Sequence, residues 1–132
     1  MTRVRLWAVA LVAGSLAVAF GIRAFTGTFV ESSGALEQVS GTALYASAVY
    51  GTARFLWPRG PVGAVAAIAL GFCWAVEVFQ LTPVPARLSD HSVVARLVLG
   101  RAFDPADLFW YVPGVAIAAA LDRWFDPRGN RR

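Results

Sequence analysis

The chain has 132 residues, of which 58% are hydrophobic and 15% are charged, whereas an average soluble domain is about 45–50% apolar and about 25% charged. A soluble globule of this size could not cover its surface with so few polar residues, and a disordered chain needs low hydrophobicity. The composition therefore excludes both classes and predicts a small, all-α, polytopic membrane protein.

The formal charge is +4, and all twelve basic residues are arginines. They are scattered between apolar runs, which is typical of the flanks of membrane helices, so no nucleic-acid partner is expected. The chain has one cysteine, Cys73, and one histidine, His91. These numbers allow no intramolecular disulfide and give little support to a zinc site. We expect no metal and no cofactor.

The first apolar stretch covers about Val4–Phe25 and carries charges only near its edges, at Arg5 and Arg23. At 1.5 Å per residue it is long enough to cross a hydrocarbon core about 30 Å thick. Residues 1–5 and 17–19 also resemble the n-region and the cleavage site of a signal peptide, which is the alternative interpretation. The apolar run continues through Ile22, and this favours a membrane span.

Two further spans are predicted at about Val39–Trp57 and Val62–Leu81, after a polar loop over about residues 26–38 and around a turn at residues 58–61. Small residues recur every fourth position in both spans. This spacing predicts close packing of the second span against the third. The residues concerned are Ala43, Ser47 and Gly51 in one span and Gly63, Ala67, Gly71 and Ala75 in the other.

The longest connection, residues 82–104, contains a polar segment ending at Ser92 and then the apolar run Val93–Leu99. This pattern predicts a short helix that is too short to cross the membrane and lies at its interface. Asp104 then offers an N-cap and Pro105 a first helical position for the fourth span, Pro105–Phe125. The predicted fold is a four-transmembrane-helix bundle with an interfacial helix between spans three and four.

The distribution of arginines predicts the orientation of this bundle. With a cytoplasmic N-terminus, eight arginines lie inside and four outside, as the positive-inside rule requires. We expect an inner-membrane protein with both termini in the cytoplasm. In this arrangement Arg54 counts among the cytoplasmic charges, and the chain leaves the membrane near Asp122.

Glu77 is a carboxylate inside the predicted third span, where a charge costs about 2.5–3.5 kcal/mol at the helix centre and less near the interface. Gln80 lies on the same helix face, three residues later. Such a charge usually has a partner, and Arg23 is the first candidate, with Arg96 and Arg101 as alternatives. A purely structural role for Glu77, as a clamp between helices, is an equally open interpretation.

The fourth span adds Asp107 and Tyr111, which share one helix face. The predicted topology places all these polar groups at the outer mouth of the bundle. The candidate polar pocket therefore comprises Arg23, Tyr45, Glu77, Gln80, Arg96, Asp107 and Tyr111.

Four pieces of sequence, at residues 41–46, 77–81, 96–100 and 103–114, resemble in order the pattern of a bacterial family of small integral membrane proteins catalogued as domain of unknown function 2809. The layout is similar to that of VanZ-like proteins. The resemblance covers about residues 23–122 and implies an inner-membrane location and an uncharacterised role. The positions that carry the family pattern are Tyr45, Glu77, Gln80, Arg96, Asp107 and Tyr111.

Binding is the favoured function, with an envelope lipid head group or another membrane protein as the partner. The arginine would meet phosphate, and the carboxylates would meet hydroxyl groups. One alternative is a membrane enzyme acting on an isoprenoid or phospholipid carrier, with Glu77 or Asp107 as general base. Another is a small transporter, which would need an oligomer because four spans leave little room for alternating access.

Overall fold

The computed structural model describes residues 2–29, 34–100 and 103–125, and every regular element in these ranges is an α-helix. The helices follow one another as α1 (Thr2–Phe29), α2 (Gly34–Leu56), α3 (Val62–Phe79), α4 (Val84–His91), α5 (Val93–Leu99) and α6 (Pro105–Phe125). The expected all-helical architecture is therefore confirmed for this part of the chain.

The four long helices form a bundle in which α2 packs on α1, α3 and α6, and α3 also packs on α6. Helices α2 and α6 run in the same direction, because Thr42 is bonded to Asp107 near their beginnings and Tyr50 to Asp122 near their ends. We call the end that holds the last turn of α3, the start of α6 and the α4–α5 pair the Glu77 end. The opposite end, with the last turns of α2 and α6, is the Arg54 end.

The core of the bundle is narrow, and much of its outer surface is apolar. The buried cluster is made of Ala46, Tyr50, Val65, Ala69, Cys73, Tyr111, Val115 and Ala118. Large hydrophobic side chains such as Phe20, Ile68, Phe72 and Ile117 are exposed along the outside. Among the described residues, two helical stretches, Thr2–Ile22 and Val62–Phe79, are long and apolar enough to cross a membrane.

Close helix packing occurs at two glycines of the bundle and involves the predicted small residues of α2, but not those of α3. A Cβ at Gly114 of α6 would lie 2.3 Å from the carbonyl oxygen of Ala43, and one at Gly51 would lie 2.8 Å from Cγ2 of Val12. Helices α6 and α1 therefore pack closely against the small residues of α2. The predicted contact through the stripe of α3 is wrong, because Gly63, Ala67, Gly71 and Ala75 are all exposed. Helix α3 instead buries its opposite face, with larger side chains such as Val65, which remove more apolar surface from solvent.

The bounds predicted for the polar loop, residues 26–38, are too wide, because α1 continues to Phe29 and α2 begins at Gly34. Residues 30–33 of the predicted loop lie outside the described part of the structure. Helix α4 had no counterpart in the prediction. The boundaries predicted for α5 and α6 are confirmed: Ser92 Oγ accepts a hydrogen bond from Ala95 N at 3.2 Å, and Asp104 Oδ1 accepts one from Ala106 N at 2.9 Å.

The contact at Gly114 leads to a stability prediction. Replacing Gly114 by Ala would force a methyl group against the backbone of α2, and we expect a loss of about 1–3 kcal/mol in the free energy of unfolding. Gly71→Ala is the matched control, since a Cβ there meets nothing within 4 Å and alanine favours the helix. Thermal unfolding in detergent micelles measures both. Equal stability of the two variants would contradict the close contact.

Candidate functional site

Glu77 joins the end of α3 to the start of α6. Its side chain is completely buried, Oε1 accepts a hydrogen bond from Asp104 N at 2.7 Å, and Oε2 accepts one from the Tyr111 hydroxyl at 2.8 Å. Both carboxylate oxygens are thus bonded to uncharged donors on one neighbouring segment. Hydrogen bonds to an ionised acceptor are strong, especially where water is excluded. This geometry favours the structural interpretation of Glu77 as a clamp between α3 and α6.

The arginine partners expected for Glu77 are not among these donors. Arg96 instead donates from Nη2 to the carbonyl oxygen of Ser89 at 3.1 Å, so its expected pairing with Glu77 is wrong. The side chain of Arg23, and the whole of Arg101, lie outside the described part of the structure. Within the described part of the structure, the partners of the two Glu77 oxygens are a backbone amide and a phenol.

The C-terminus of α5 is held by side chains of α2, of α4 and of the residue that follows α3. Tyr45 donates to the carbonyl oxygen of Val98 at 2.6 Å, and Gln80 donates to that of Leu99 at 2.5 Å. Ser89 donates to the next carbonyl, that of Gly100, at 2.7 Å. The last carbonyl groups of a helix have no partners within the helix, so these donors satisfy groups that would otherwise need water.

Gly100 allows the chain to turn sharply at this point. Its φ of 67° lies in the left-handed region that glycine adopts readily, and a Cβ there would lie 2.5 Å from Nε2 of Gln80. The turn brings the end of α5 against Gln80. The other amide atom of this side chain, Oε1, is buried and accepts no hydrogen bond from any residue that the structure describes.

A cavity of about 390 Å³ opens between α1, α2, α3, α5 and α6 near the Glu77 end, and we call it the polar pocket. Its walls include five of the seven residues predicted for the site: Tyr45, Gln80, Arg96, Asp107 and Tyr111. Glu77 does not line the cavity. It lies behind the wall and fixes Tyr111, whose ring packs against that of Tyr45 with the ring centroids 6.0 Å apart.

The charged groups of the polar pocket are Arg96 and Asp107. Oδ1 of Asp107 accepts a hydrogen bond from the Thr42 hydroxyl at 2.8 Å, while Arg96 is exposed to solvent. Within the described ranges, no group of three or more histidine, cysteine, aspartate or glutamate side chains is arranged to hold a metal ion. The polar side chains that line the pocket therefore include one guanidinium, one carboxylate, the Gln80 amide and the hydroxyl groups of Ser15, Thr42 and two tyrosines.

A second buried network, at the Arg54 end, was missed by sequence reasoning. Arg54 and Asp122 are each only 1% exposed and form an ion pair with Nε–Oδ2 at 3.0 Å and Nη2–Oδ1 at 3.2 Å. The Tyr50 hydroxyl also donates to Asp122, and Arg54 donates to the carbonyl oxygen of Gly60. The pair therefore ties α2, α6 and the turn before α3 together.

The expectation that Arg54 is a flanking charge is corrected by this pair, because the structure buries the guanidinium inside the bundle. Arg54 precedes the apolar Phe55–Trp57, and Asp122 precedes the apolar pair Trp124–Phe125. Each charge thus lies inside an apolar stretch, at the same end of the predicted bundle. Two opposite charges beside apolar residues at the same end of the predicted bundle were the signal from which this ion pair could have been predicted.

Comparison with known proteins gives one family match for this chain. A family model described as "Protein of unknown function (DUF2809)" matches residues 31–115. The matched stretch contains the five described pocket residues together with Glu77 and Arg54, whereas Asp122 lies outside it. No curated protein and no solved structure matches the chain.

The ion pair at the Arg54 end leads to a second stability prediction. Asp122→Leu would leave the Arg54 guanidinium buried without a counter-charge, and we expect a loss of about 3–5 kcal/mol in the free energy of unfolding. The double variant Arg54→Met/Asp122→Leu removes both charges and should recover most of that loss. Unfolding of the purified variants in detergent measures this difference. A double variant no more stable than the single one would contradict it.

Proposed function

The chain belongs to the family of proteins of unknown function DUF2809, and we propose that it is a four-span inner-membrane protein that binds the polar head group of an envelope lipid. The observation that carries the proposal is the polar pocket, where the bundle brings Arg96, Asp107 and the two tyrosines together. Its volume of about 390 Å³ falls in the usual range of ligand sites, about 300–1,000 Å³.

The surface of the bundle supports membrane insertion. Large apolar side chains such as Phe20, Phe72 and Ile117 are exposed, although a soluble protein of this size rarely exposes large contiguous apolar patches. In the proposed arrangement α1, α2, α3 and α6 span the membrane. The polar groups of α2 and α6 are bonded to one another inside the bundle, as the lack of water in a bilayer requires.

The short helices suit the interface between membrane and water. Helix α5 exposes Val93 by 68% and Val94 by 70%, while Arg96 on the next turn is also exposed. A helix with apolar and charged side chains on its surface can lie in the interface plane. The excess of arginines at the other end of the bundle then orients the Glu77 end away from the cytoplasm.

This topology is tested by reporter fusions to the full chain. We expect a C-terminal reporter, and one inserted at Arg59 in the turn between α2 and α3, to read cytoplasmic. A reporter inserted after His91, the exposed last residue of α4, should read extracytoplasmic. Activity of all three reporters on the same side of the membrane would contradict a four-span arrangement.

The polar pocket has the groups that a phosphate-bearing head group needs. A guanidinium has five N–H donors, and Arg96 uses Nη2 for Ser89, so donors remain for bidentate contact with a phosphate. Asp107 and the hydroxyl oxygens of Tyr45 and Tyr111 can accept hydrogen bonds from hydroxyl groups of the ligand. An anionic head group with free hydroxyls fits this combination best.

A membrane enzyme acting on a lipid carrier is the second candidate, and Asp107 is the observation in its favour. This carboxylate lines the pocket and could act there as a general base. Glu77, the other candidate base, lies outside the pocket with both oxygens bonded. Binding is the simpler proposal because it uses the pocket residues without requiring a reaction.

Head-group binding is tested with phosphatidylglycerol, which carries a phosphate and two hydroxyls, and with phosphatidylcholine as the zwitterionic reference. We expect the detergent-solubilised protein to retain phosphatidylglycerol preferentially in native mass spectrometry. Arg96→Gln should weaken this binding about tenfold or more, because a charged hydrogen bond to the phosphate is lost.

Arg87→Gln is the matched control for this experiment. Arg87 is an exposed arginine on neighbouring α4 and does not line the pocket. Its replacement should leave binding unchanged. If both arginine variants weakened binding equally, general attraction between a basic surface and an anionic lipid would explain the result, and the pocket would not be the site.

A further inference from the structure

An apolar groove leaves the polar pocket and runs along α2 between α1 and α3. Its volume is about 610 Å³, and its surface is almost entirely apolar. The floor is formed by α2 residues that include Thr52 and by Trp57 just after that helix, and the α3 wall is formed by residues that include Ile68 and Phe72. Helices α1 and α3 both pack on α2, and the groove lies in the gap between them.

The groove and the polar pocket adjoin each other. Leu16, Tyr45, Ala48 and Val98 line both cavities. Tyr45 lies at this junction, and its hydroxyl is bonded to the end of α5. A single molecule with a polar part and an apolar part could therefore occupy both cavities.

The groove is long enough to hold a hydrocarbon chain. Tyr45 and Trp57 are twelve positions apart along the chain, which is about 18 Å at 1.5 Å per helical residue. Half of a hydrocarbon core that is about 30 Å thick is about 15 Å. A chain that starts at the pocket and follows α2 would thus reach slightly farther than the depth of one leaflet and end near the Arg54 end.

We propose that the ligand is an anionic lipid whose phosphate-bearing head group lies in the polar pocket while one hydrocarbon chain lies in the apolar groove. The lipid enters sideways from the bilayer, through the gap between α1 and α3. This inference rests on the proposed function and adds the substrate class, because a water-soluble phosphate would leave the groove empty. Arg96 gives the adjoining polar pocket a positive charge. This charge favours an anionic lipid over a second copy of the chain as the occupant of the groove.

The test uses two probes of matched head-group chemistry. One is lysophosphatidic acid with a photoreactive diazirine at the end of a sixteen-carbon chain, a length of about one leaflet, and the other is glycerol phosphate, which has no chain. We expect the photolabel on the segments that contain Thr52–Trp57 and Ile68–Phe72. The long-chain probe should bind at least about tenfold more tightly, because burial of methylene groups contributes to its affinity.

Thr52→Phe fills the groove from its floor, and Ile68→Trp fills it from the α3 wall. Both positions are exposed, so the larger side chains need not disturb the core. Ala67→Phe is the matched control, since Ala67 is exposed on the same helix as Ile68 and lines neither cavity. We expect both groove variants to lose about tenfold or more in affinity for the long-chain probe. The affinity for glycerol phosphate and the thermal stability should stay unchanged.

The outcomes separate this inference from the proposed function. If wild type binds neither probe, or if Arg96→Gln has no effect on either, the head-group proposal fails. If Arg96→Gln weakens binding but Thr52→Phe and Ala67→Phe behave alike, the hydrocarbon chain lies outside the groove. Photolabel spread evenly over the outer faces of the bundle would also show that the hydrocarbon chain lies outside the groove. A dimer that both groove variants abolish would assign the groove to a second copy and overturn the inference.

Discussion

Polar groups buried between packed helices must be satisfied by other groups of the protein, and this constraint positions α6. At one end Glu77 of α3 accepts hydrogen bonds from the backbone at Asp104 and from Tyr111. At the other end Asp122 pairs with Arg54 of α2. Between these points Gly114 lets the backbones of α2 and α6 touch. Loss of a partner at either end would leave a buried charged group unsatisfied. The contacts at the two ends therefore fix how α6 is rotated and how far it is shifted along its axis.

The polar pocket depends on this placement of α6. Tyr111 is held by Glu77 from behind, and Asp107 is held by Thr42, so both present their remaining surfaces to the cavity. The opposite wall is α5, whose C-terminus is bonded to side chains of α2, of α4 and of the residue that follows α3. The residues that hold the elements in place are mostly distinct from Arg96, which keeps most of its donors for a ligand.

The four sequence pieces that resemble the family each have a physical role in the bundle. Tyr45 and Gln80 hold the end of α5, Gly100 makes the turn after it, and Glu77 secures the start of α6. The same pieces contribute the walls of the polar pocket. A role in architecture and a role in binding are thus combined in one end of the molecule. Tyr45 links them most directly, since it also lines the apolar groove.

The sequence by itself determined the helical class, the boundaries of α5 and α6 and the group of residues from which the polar pocket is built. Those features follow from local patterns: apolar runs, the caps at Ser92 and Asp104, and helical spacing. Only the tertiary structure decided that Glu77 bonds to an amide and a phenol and that Arg54 pairs with Asp122. These partners are 27 to 68 residues apart along the chain. Their pairing depends on how each helix is rotated against its neighbours, and that rotation is set by packing of all four long helices together.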